Sequence, residues 1–231
     1  MKKNKIILLL LMVFTIISIS GCGKKEAKKE EVKKNEDAIK FKEEYETLNG
    51  QTNARGIEHR TVSISSDNPY VYQTADEIVE RINNKETFYV YFGDTQCPWC
   101  RSNVEMAIKQ AKKYNIDTIY YVKIWDDNHN EILRDKLSIN EDGEVVVDSE
   151  GTESYYKLLE LLDSVLSDYT LSDEVEPTEK RIYAPNYIYI ENGKPVLLVE
   201  GISEDQEDAR GEWTDKILKD EEEAFEKLFN R

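Results

Sequence analysis

The spacing of hydrophobic residues along the chain changes several times, and each spacing predicts a different type of secondary structure. Residues 60–64 alternate at every second position, as the residues of a strand do. Apolar and aromatic residues run almost without interruption over 87–92 and again over 120–124. Both runs predict strands in the buried centre of a sheet.

Segments with a helical period separate these strands. Thr74 and Glu77 have the spacing of a capping box, in which each side chain bonds the backbone of the other residue, so a helix is expected over 75–83. Apolar residues three or four positions apart predict three further helices. These are expected over 98–114, from near Thr152, and over about 213–229.

The last two strands are expected to form a hairpin. Asn192-Gly193 lies between two apolar runs, and this dipeptide is a strong short-range signal for a tight turn between strands. Strands and helices therefore alternate along most of the chain, which predicts an α/β domain. Residues 126 to about 180 interrupt the alternation, and their leucine-rich segment indicates a partly helical insertion.

The N-terminus resembles the export signal of a bacterial lipoprotein. Three lysines precede an apolar run over 6–19, which is short for a membrane span. The run ends in Ile19-Ser20-Gly21-Cys22, which is similar to a lipoprotein cleavage site. The resemblance implies that residues 1–21 are a signal peptide and that a lipid on Cys22 anchors the chain to the outer face of the cell membrane. An ordinary signal peptide or an uncleaved anchor is the alternative.

The segment that follows is rich in charge. Lysine and glutamate alternate in blocks over 23–44, so a charged tether is expected over 22–56 and the folded domain over 57–231. The chain has a formal net charge of −16, and removal of the signal peptide makes it more acidic still. This charge argues against nucleic acid, an acidic polymer or a basic membrane-binding face.

Two of the three cysteines lie close together. Cys97-Pro98-Trp99-Cys100 directly follows a predicted strand and opens a predicted helix. At that position the free N–H groups and the dipole of the helix favour a thiolate on Cys97. Pro98 suits the first helical position, where its missing N–H costs nothing. Cys97 is expected to face solvent at the helix end. Cys100, one turn further on, is expected to be more buried and to close a disulfide with Cys97.

This pair predicts thiol–disulfide exchange, a reaction that needs no cofactor. An inert structural disulfide is one alternative. A zinc site is another, but it needs four ligands, and the only histidines, His59 and His129, are not at ligand spacing and are expected at the surface. No metal is therefore expected.

The order of the elements resembles that of the thioredoxin superfamily. The resemblance rests on the Cys97–Cys100 motif, on Pro185 at the start of a later strand, and on the spacing from Pro185 to Asn192-Gly193 and Gly201. It covers roughly residues 58–125 and 181–231. It implies a central mixed sheet flanked by helices, with the insertion placed before the strand of Pro185.

The same resemblance implies a set of site residues. Cys97 and Cys100 would be catalytic, and Pro185 would be a cis-proline that places the backbone of Ala184 against the dithiol. Pro98-Trp99 is similar to the proline–aromatic pairs of glutaredoxins and DsbA-type oxidases. The partners implied are protein or peptide thiols and disulfides, together with a redox partner.

One position departs from the pattern of thioredoxins. They carry a buried acid six residues before the first cysteine, and Tyr91 occupies that position here. Asp94 is the nearest carboxylate in the sequence, and Lys123 is expected on the neighbouring strand. Two other functions are therefore kept as alternatives: an accessory lipoprotein for peptide export, similar to bacteriocin transport accessory proteins, and a noncatalytic module that binds a partner.

Overall fold

The computed structural model describes residues 22–169, 171 and 179–231, without the side chains of 22–29 and 179. The predicted signal peptide over 1–21 and the predicted lipid site on the Cys22 side chain lie outside these residues. The helices are α1 (Cys22–Thr47), α2 (Ala75–Asn83), α3 (Pro98–Lys113), α4 (Glu153–Leu162) and α5 (Asp215–Phe229). The strands are β1 (Tyr70–Tyr72), β2 (Phe88–Gly93), β3 (Ile119–Lys123), β4 (Lys136–Ile139), β5 (Val145–Ser149), β6 (Asp168–Tyr169), β7 (Glu179–Lys180), β8 (Asn186–Glu191) and β9 (Lys194–Val199).

A central mixed sheet has the strand order β1-β3-β2-β8-β9. Strands β1, β2 and β3 are parallel, whereas β8 and β9 run antiparallel to their neighbours. Successive residues of β2 point to opposite faces, so that Val90 packs in one apolar cluster and Tyr91 in the other. Helices α1, α3 and α5 cover the Tyr91 face, and α2 and α4 cover the Val90 face. The predicted mixed α/β fold, with a central sheet between helices, is confirmed.

Several local predictions are also confirmed. Thr74 and Glu77 form both bonds of the capping box at the start of α2. Thr152 caps α4, where its Oγ1 accepts from the backbone N–H of Tyr155 at 3.1 Å. Asn192 and Gly193 both have positive φ, at 51° and 73°, and they join β8 to β9. These signals act between residues a few positions apart, so no distant contact is needed to produce them.

The strand predicted over 60–64 is not part of any sheet. Val62 and Ile64 are buried in alternation with exposed neighbours, as the pattern predicts. Their backbone N–H groups, however, donate to side chains: Val62 to Asn49 Oδ1 at 3.0 Å and Ile64 to Glu46 Oε1 at 2.7 Å. The segment is thus extended because side chains of α1 and of the turn after it accept hydrogen bonds from its backbone N–H groups. The outer strand beside β3 is β1 instead.

The prediction of a charged tether over 22–56 is wrong for the second half of that segment. Helix α1 runs to Thr47, and Ala38, Phe41 and Tyr45 are buried in the core. The ring of Phe41 stacks on that of Tyr70 at a centroid distance of 4.0 Å. These apolar residues lie three and four positions apart among lysines and glutamates, so they form one narrow buried stripe on a charged helix. The folded domain therefore begins well before residue 57.

The predicted insertion contains a hairpin, a helix and a short strand pair. Strands β4 and β5 form the hairpin around the turn at 140–143, and β6 pairs with β7. Leu158 and Leu162 of α4 pack with Ile78 and Ile82 of α2, so the insertion extends the core on that face of the sheet. Within the described ranges, no helix has the length and apolar character needed to cross a membrane.

Candidate dithiol site

The Cys97–Cys100 motif lies where β2 gives way to α3. Cys97 is the N-cap of α3, with extended backbone at φ −66° and ψ 119°, and Pro98 is the first helical residue. The backbone N–H of Cys100 donates to Cys97 Sγ at 3.4 Å. The predicted placement of the first cysteine at a helix N-terminus is confirmed, and both cysteines are free thiols.

The two thiols differ in acidity. The pKa of Cys97 is lowered, chiefly because the Cys100 thiol donates to its sulfur, with help from the backbone N–H groups of Cys100 and Trp99. Burial and the carboxyl group of Asp94 oppose this shift of the Cys97 pKa without reversing it. The pKa of Cys100 is raised well above its usual value, first by burial and then by Cys97. Cys97 is therefore the residue that forms the thiolate.

Cys97 is less accessible than the sequence suggests. Only 4% of its surface is exposed, and Cys100 is fully buried. The expected order of burial is confirmed, but the expectation that Cys97 faces solvent openly is wrong. Trp99 and Ala184, both partly buried, pack against the same cluster of side chains as the two cysteines. Because the N-terminus of α3 packs against Ala184, which precedes β8, little room is left around the Cys97 sulfur.

Ala184 and Pro185 complete the other side of the site. The Ala184–Pro185 peptide bond is cis, as predicted. The Cys97 thiol donates to the carbonyl oxygen of Ala184 at 3.3 Å. Asn186, a residue that the sequence did not single out, accepts from the backbone N–H of Tyr183 at 2.7 Å and so closes the turn that carries Ala184. The structure thus brings together all of the predicted residues from Cys97 to Cys100 with Ala184 and Pro185.

Buried tyrosines lie beneath Cys100. The hydroxyl of Tyr91 is 2.9 Å from that of Tyr45 and also bonds the Cys100 sulfur. Its ring stacks on Tyr187 at 4.2 Å, and burial raises its pKa well above the usual value. A Cβ on Gly93 would lie 2.2 Å from the Tyr91 ring, which explains the glycine at the end of β2. Tyr91, which stands where the resemblance to thioredoxins would imply an acid, is therefore a neutral hydrogen-bonding group beside Cys100.

The carboxyl group of Asp94 acts on the dithiol in the structure, where its charge raises the pKa of Cys97. Asp94 is almost completely buried, its Oδ1 accepts from the backbone N–H of Gln96 at 2.8 Å, and its Oδ2 has no partner among the described residues. Its own backbone N–H donates to the Cys100 sulfur. Burial raises the pKa of Asp94 to about 7, against the lowering effect of the Gln96 N–H. Asp94 can therefore exchange a proton near neutral pH.

Lys123, the other residue considered for this role, has different partners. Its Nζ lies 3.2 Å from Glu44 Oε2 and 3.0 Å from Asp127 Oδ1. Its charge lowers the pKa of Asp94 from a distance rather than through a direct ion pair. Lys123 therefore connects β3 to α1, and the dithiol has Asp94 as its acidic neighbour.

Arg101, which follows Cys100, was not singled out from the sequence. Its guanidinium is buried and donates to the carbonyl oxygens of Arg60, Tyr45 and Thr95 and to Asn49 Oδ1, over 2.8–3.1 Å. All of these acceptors are neutral. The positive charge beside the first turn of α3 is thus stabilised by hydrogen bonds, with no ion pair to a carboxylate in the described part of the chain.

A scan against models of protein families and a search of curated proteins found no match. Among the residues that the structure describes, no three His, Cys, Asp or Glu side chains are arranged to hold a metal ion.

Proposed function

We propose that this protein is a thiol–disulfide oxidoreductase of the thioredoxin type. The observation that carries the proposal is the position of Cys97 at the N-cap of α3, with a lowered pKa and with Cys100 one turn away. The strand order β1-β3-β2-β8-β9 and the approach of Ala184 to Cys97 support the same fold type. The lowered pKa of Cys97 and the raised pKa of Cys100 support different roles, in which Cys97 attacks the substrate and Cys100 resolves the mixed disulfide.

The reaction proceeds in two exchanges. The Cys97 thiolate attacks one sulfur of a substrate disulfide, forming a mixed disulfide and releasing the first substrate sulfur as a thiolate. Cys100 then loses its proton and attacks Cys97 Sγ, which forms the Cys97–Cys100 disulfide and releases the second substrate thiolate. Two electrons pass from the dithiol to the substrate, and the reverse sequence oxidises a substrate dithiol. Reduction potentials of the partners set the direction.

Asp94 is the proton acceptor for Cys100 in this scheme. Cys100 has a raised pKa and therefore needs a base before it can attack. Asp94 is in contact with Cys100 through its backbone N–H, has an unpartnered carboxylate oxygen, and has a pKa of about 7. A carboxylate that is half ionised near neutral pH can take the thiol proton and later return it.

The proposed location is the outer face of a bacterial cell membrane. This part of the proposal rests on the N-terminal sequence, in which Cys22 would carry the lipid. Protein or peptide thiols and disulfides outside the cytoplasm would then be the substrates, since disulfides persist in that compartment.

Single-turnover exchange with a protein disulfide tests the proposed function. The reduced full-length chain is mixed with an equimolar amount of insulin, and thiols and mixed disulfides are counted by mass spectrometry after acid quenching. We expect the wild type to reduce insulin and to gain a Cys97–Cys100 disulfide. Cys97→Ser should abolish exchange, whereas Cys100→Ser should accumulate a mixed disulfide on Cys97. A wild type that leaves insulin oxidised, and whose dithiol shows no reversible two-electron oxidation in a glutathione redox buffer, would instead be a noncatalytic binding module.

A further inference from the structure

A cleft of about 460 Å³ opens beside the dithiol. Gln96 and Pro98, the residues on either side of Cys97, form one of its walls. The loop that follows α1, the loop after β3 and Arg210 supply the rest of its lining. A substrate whose sulfur meets Cys97 would therefore place the residues next to its cysteine along this cleft.

The lining of the cleft contrasts with the charge of the whole chain. The protein has a net charge of −16, yet none of the described residues that line the cleft is an aspartate or glutamate. Its ionisable side chains are all basic: Arg55, His59, His129 and Arg210. Two carboxylates bond residues of the lining from behind it: Asp208 Oδ1 accepts from the backbone N–H of Arg210 at 2.9 Å, and Glu131 Oε2 accepts from Trp125 Nε1 at 3.1 Å. The side chains that line the cleft thus carry positive charge, in contrast to the chain as a whole.

The two arginines of the cleft have no carboxylate partner. Arg210 Nε is buried and has no acceptor, and the guanidinium of Arg55 forms no hydrogen bond or ion pair with a described residue. Among the other described arginines, Arg81, Arg134 and Arg181 form ion pairs, whereas Arg60, Arg101 and Arg231 donate to neutral oxygen acceptors. A buried donor without an acceptor is costly, so a ligand that supplies an acceptor to Arg210 gains that energy.

His59 provides a second unpartnered group. Only 6% of its surface is exposed, and its imidazole forms no hydrogen bond with another described residue although it lines the cleft. Burial lowers the pKa of His59, and the charges of Arg101 and Arg210 lower it further. The ring is therefore neutral near neutral pH, so that the attraction for an anion comes from the arginines and His59 adds a hydrogen-bonding group.

We propose that this cleft binds an aspartate or glutamate side chain next to the reacting cysteine of a peptide substrate, an inference that rests on the proposed function. Arginine matches a carboxylate in geometry as well as in charge. The cleft has the size of a small-ligand site, roughly 300–1,000 Å³, so it holds a short segment. The net negative charge of the chain repels a long polyanion, which restricts the preference to local acidity beside the cysteine.

Exchange rates with matched peptides test this preference. Short disulfide-linked peptide dimers that differ only in having Glu, Gln or Lys beside the cysteine are mixed with the reduced full-length chain in single turnover. We expect the Glu peptide to react about three- to tenfold faster than the Gln peptide, and the Lys peptide to be slowest. The ratio of Glu to Gln rates should fall as ionic strength rises.

Variants locate the origin of the preference. In the double variant Arg55→Gln/Arg210→Gln, the ratio of Glu to Gln rates should fall to about one. The control Lys194→Gln/Arg231→Gln also removes two positive charges, at exposed positions outside the cleft, and should keep the wild-type ratio. Equal rates for the Glu and Gln peptides in the wild type, or a preference that survives in the double variant, would overturn the inference while leaving the proposed function intact.

Binding without exchange separates the two proposals. The same peptides with S-methylated cysteines cannot react, so their affinity for the full-length chain is measured by isothermal titration calorimetry. Tighter binding of the Glu peptide by the wild type, but not by the double variant, supports the cleft even if no peptide is ever reduced. Equal affinities for the Glu and Gln peptides would contradict it. Matching circular dichroism spectra and melting temperatures exclude misfolding as the cause of any change.

Discussion

The thiol of Cys97 donates to the carbonyl oxygen of Ala184 at 3.3 Å, across 87 positions of the chain. The register of the sheet explains this proximity. Phe92 near the end of β2 lies opposite Asn186 at the start of β8, because the two strands are antiparallel. The residues that follow β2 and those that precede β8 therefore meet at one edge of the sheet.

The first prediction concerns thiol reactivity. Cys97 should be alkylated faster than Cys100 in the reduced protein near neutral pH, since the pKa of Cys97 is lowered and that of Cys100 is raised. Iodoacetamide labelling followed by peptide mass spectrometry measures both rates. The pH at which the Cys97 rate is half-maximal should lie below the free-cysteine value of about 8.5. Preferential labelling of Cys100 would reverse the assigned roles.

The second prediction concerns proton transfer by Asp94. In the wild type, the mixed disulfide on Cys97 should decay faster as pH rises through about 7, where Asp94 becomes ionised. Asp94→Asn should lengthen the lifetime of that intermediate by at least about tenfold and remove the inflection, because the amide cannot accept the Cys100 proton. Rapid acid quenching gives the lifetime. Asp117→Asn, at an exposed position, is the control. Identical profiles for wild type and Asp94→Asn would exclude this role.

The third prediction concerns stability and pH. Asp94 has a pKa of about 7 in the folded protein, above its ordinary value of 3.8, so the folded state binds more protons than the unfolded state between these values. The free energy of unfolding should therefore fall as pH rises from 4 to 8. Asp94→Asn should reduce that fall by on the order of 2 kcal/mol.

Urea denaturation at pH 5 and pH 8 measures this difference. Asp117→Asn should leave the pH dependence close to that of the wild type, because the side chain is exposed. If the free energy of unfolding fell by the same amount in wild type and Asp94→Asn, the pKa of Asp94 would not be raised in the folded protein.

The fourth prediction concerns α1. Phe41→Ala should lower the free energy of unfolding by about 3–5 kcal/mol, because the ring is fully buried against Tyr70. Ile39→Ala on the same helix should change it by less than about 0.5 kcal/mol, since Ile39 is 46% exposed. Urea denaturation of both variants provides the comparison. Equally small changes in the free energy of unfolding for both variants would show that this segment is a solvated tether and not part of the core.

The fifth prediction concerns the N-terminus. Cys22→Ala should leave unprocessed precursor in cells and abolish incorporation of labelled fatty acid, because Cys22 is the expected acceptor of the lipid. Immunoblotting of membrane fractions and metabolic labelling measure both outcomes. Lys25→Ala should be processed and labelled as the wild type is. Normal processing and labelling of Cys22→Ala would refute the lipoprotein assignment.

Local signals in the sequence were sufficient for much of the fold. The capping box of Thr74 and Glu77, the turn at Asn192-Gly193 and the helix opened by Pro98 each depend on contacts within a few residues. The alternation of buried strands with amphipathic helices then predicted the α/β class. The dithiol was predictable for the same reason, since Cys97 and Cys100 are one helical turn apart.

Long-range contacts account for what the sequence did not reveal. Phe41 is surrounded by charged residues in the sequence, and only the packing of α1 on Tyr70 shows that it belongs to the core. Val62 alternates like a strand, but its N–H bonds the side chain of Asn49. His59 and Arg210 meet in one cleft although no pattern in the sequence links them. Burial and charge at such positions depend on neighbours distant in the chain, and therefore on the tertiary structure.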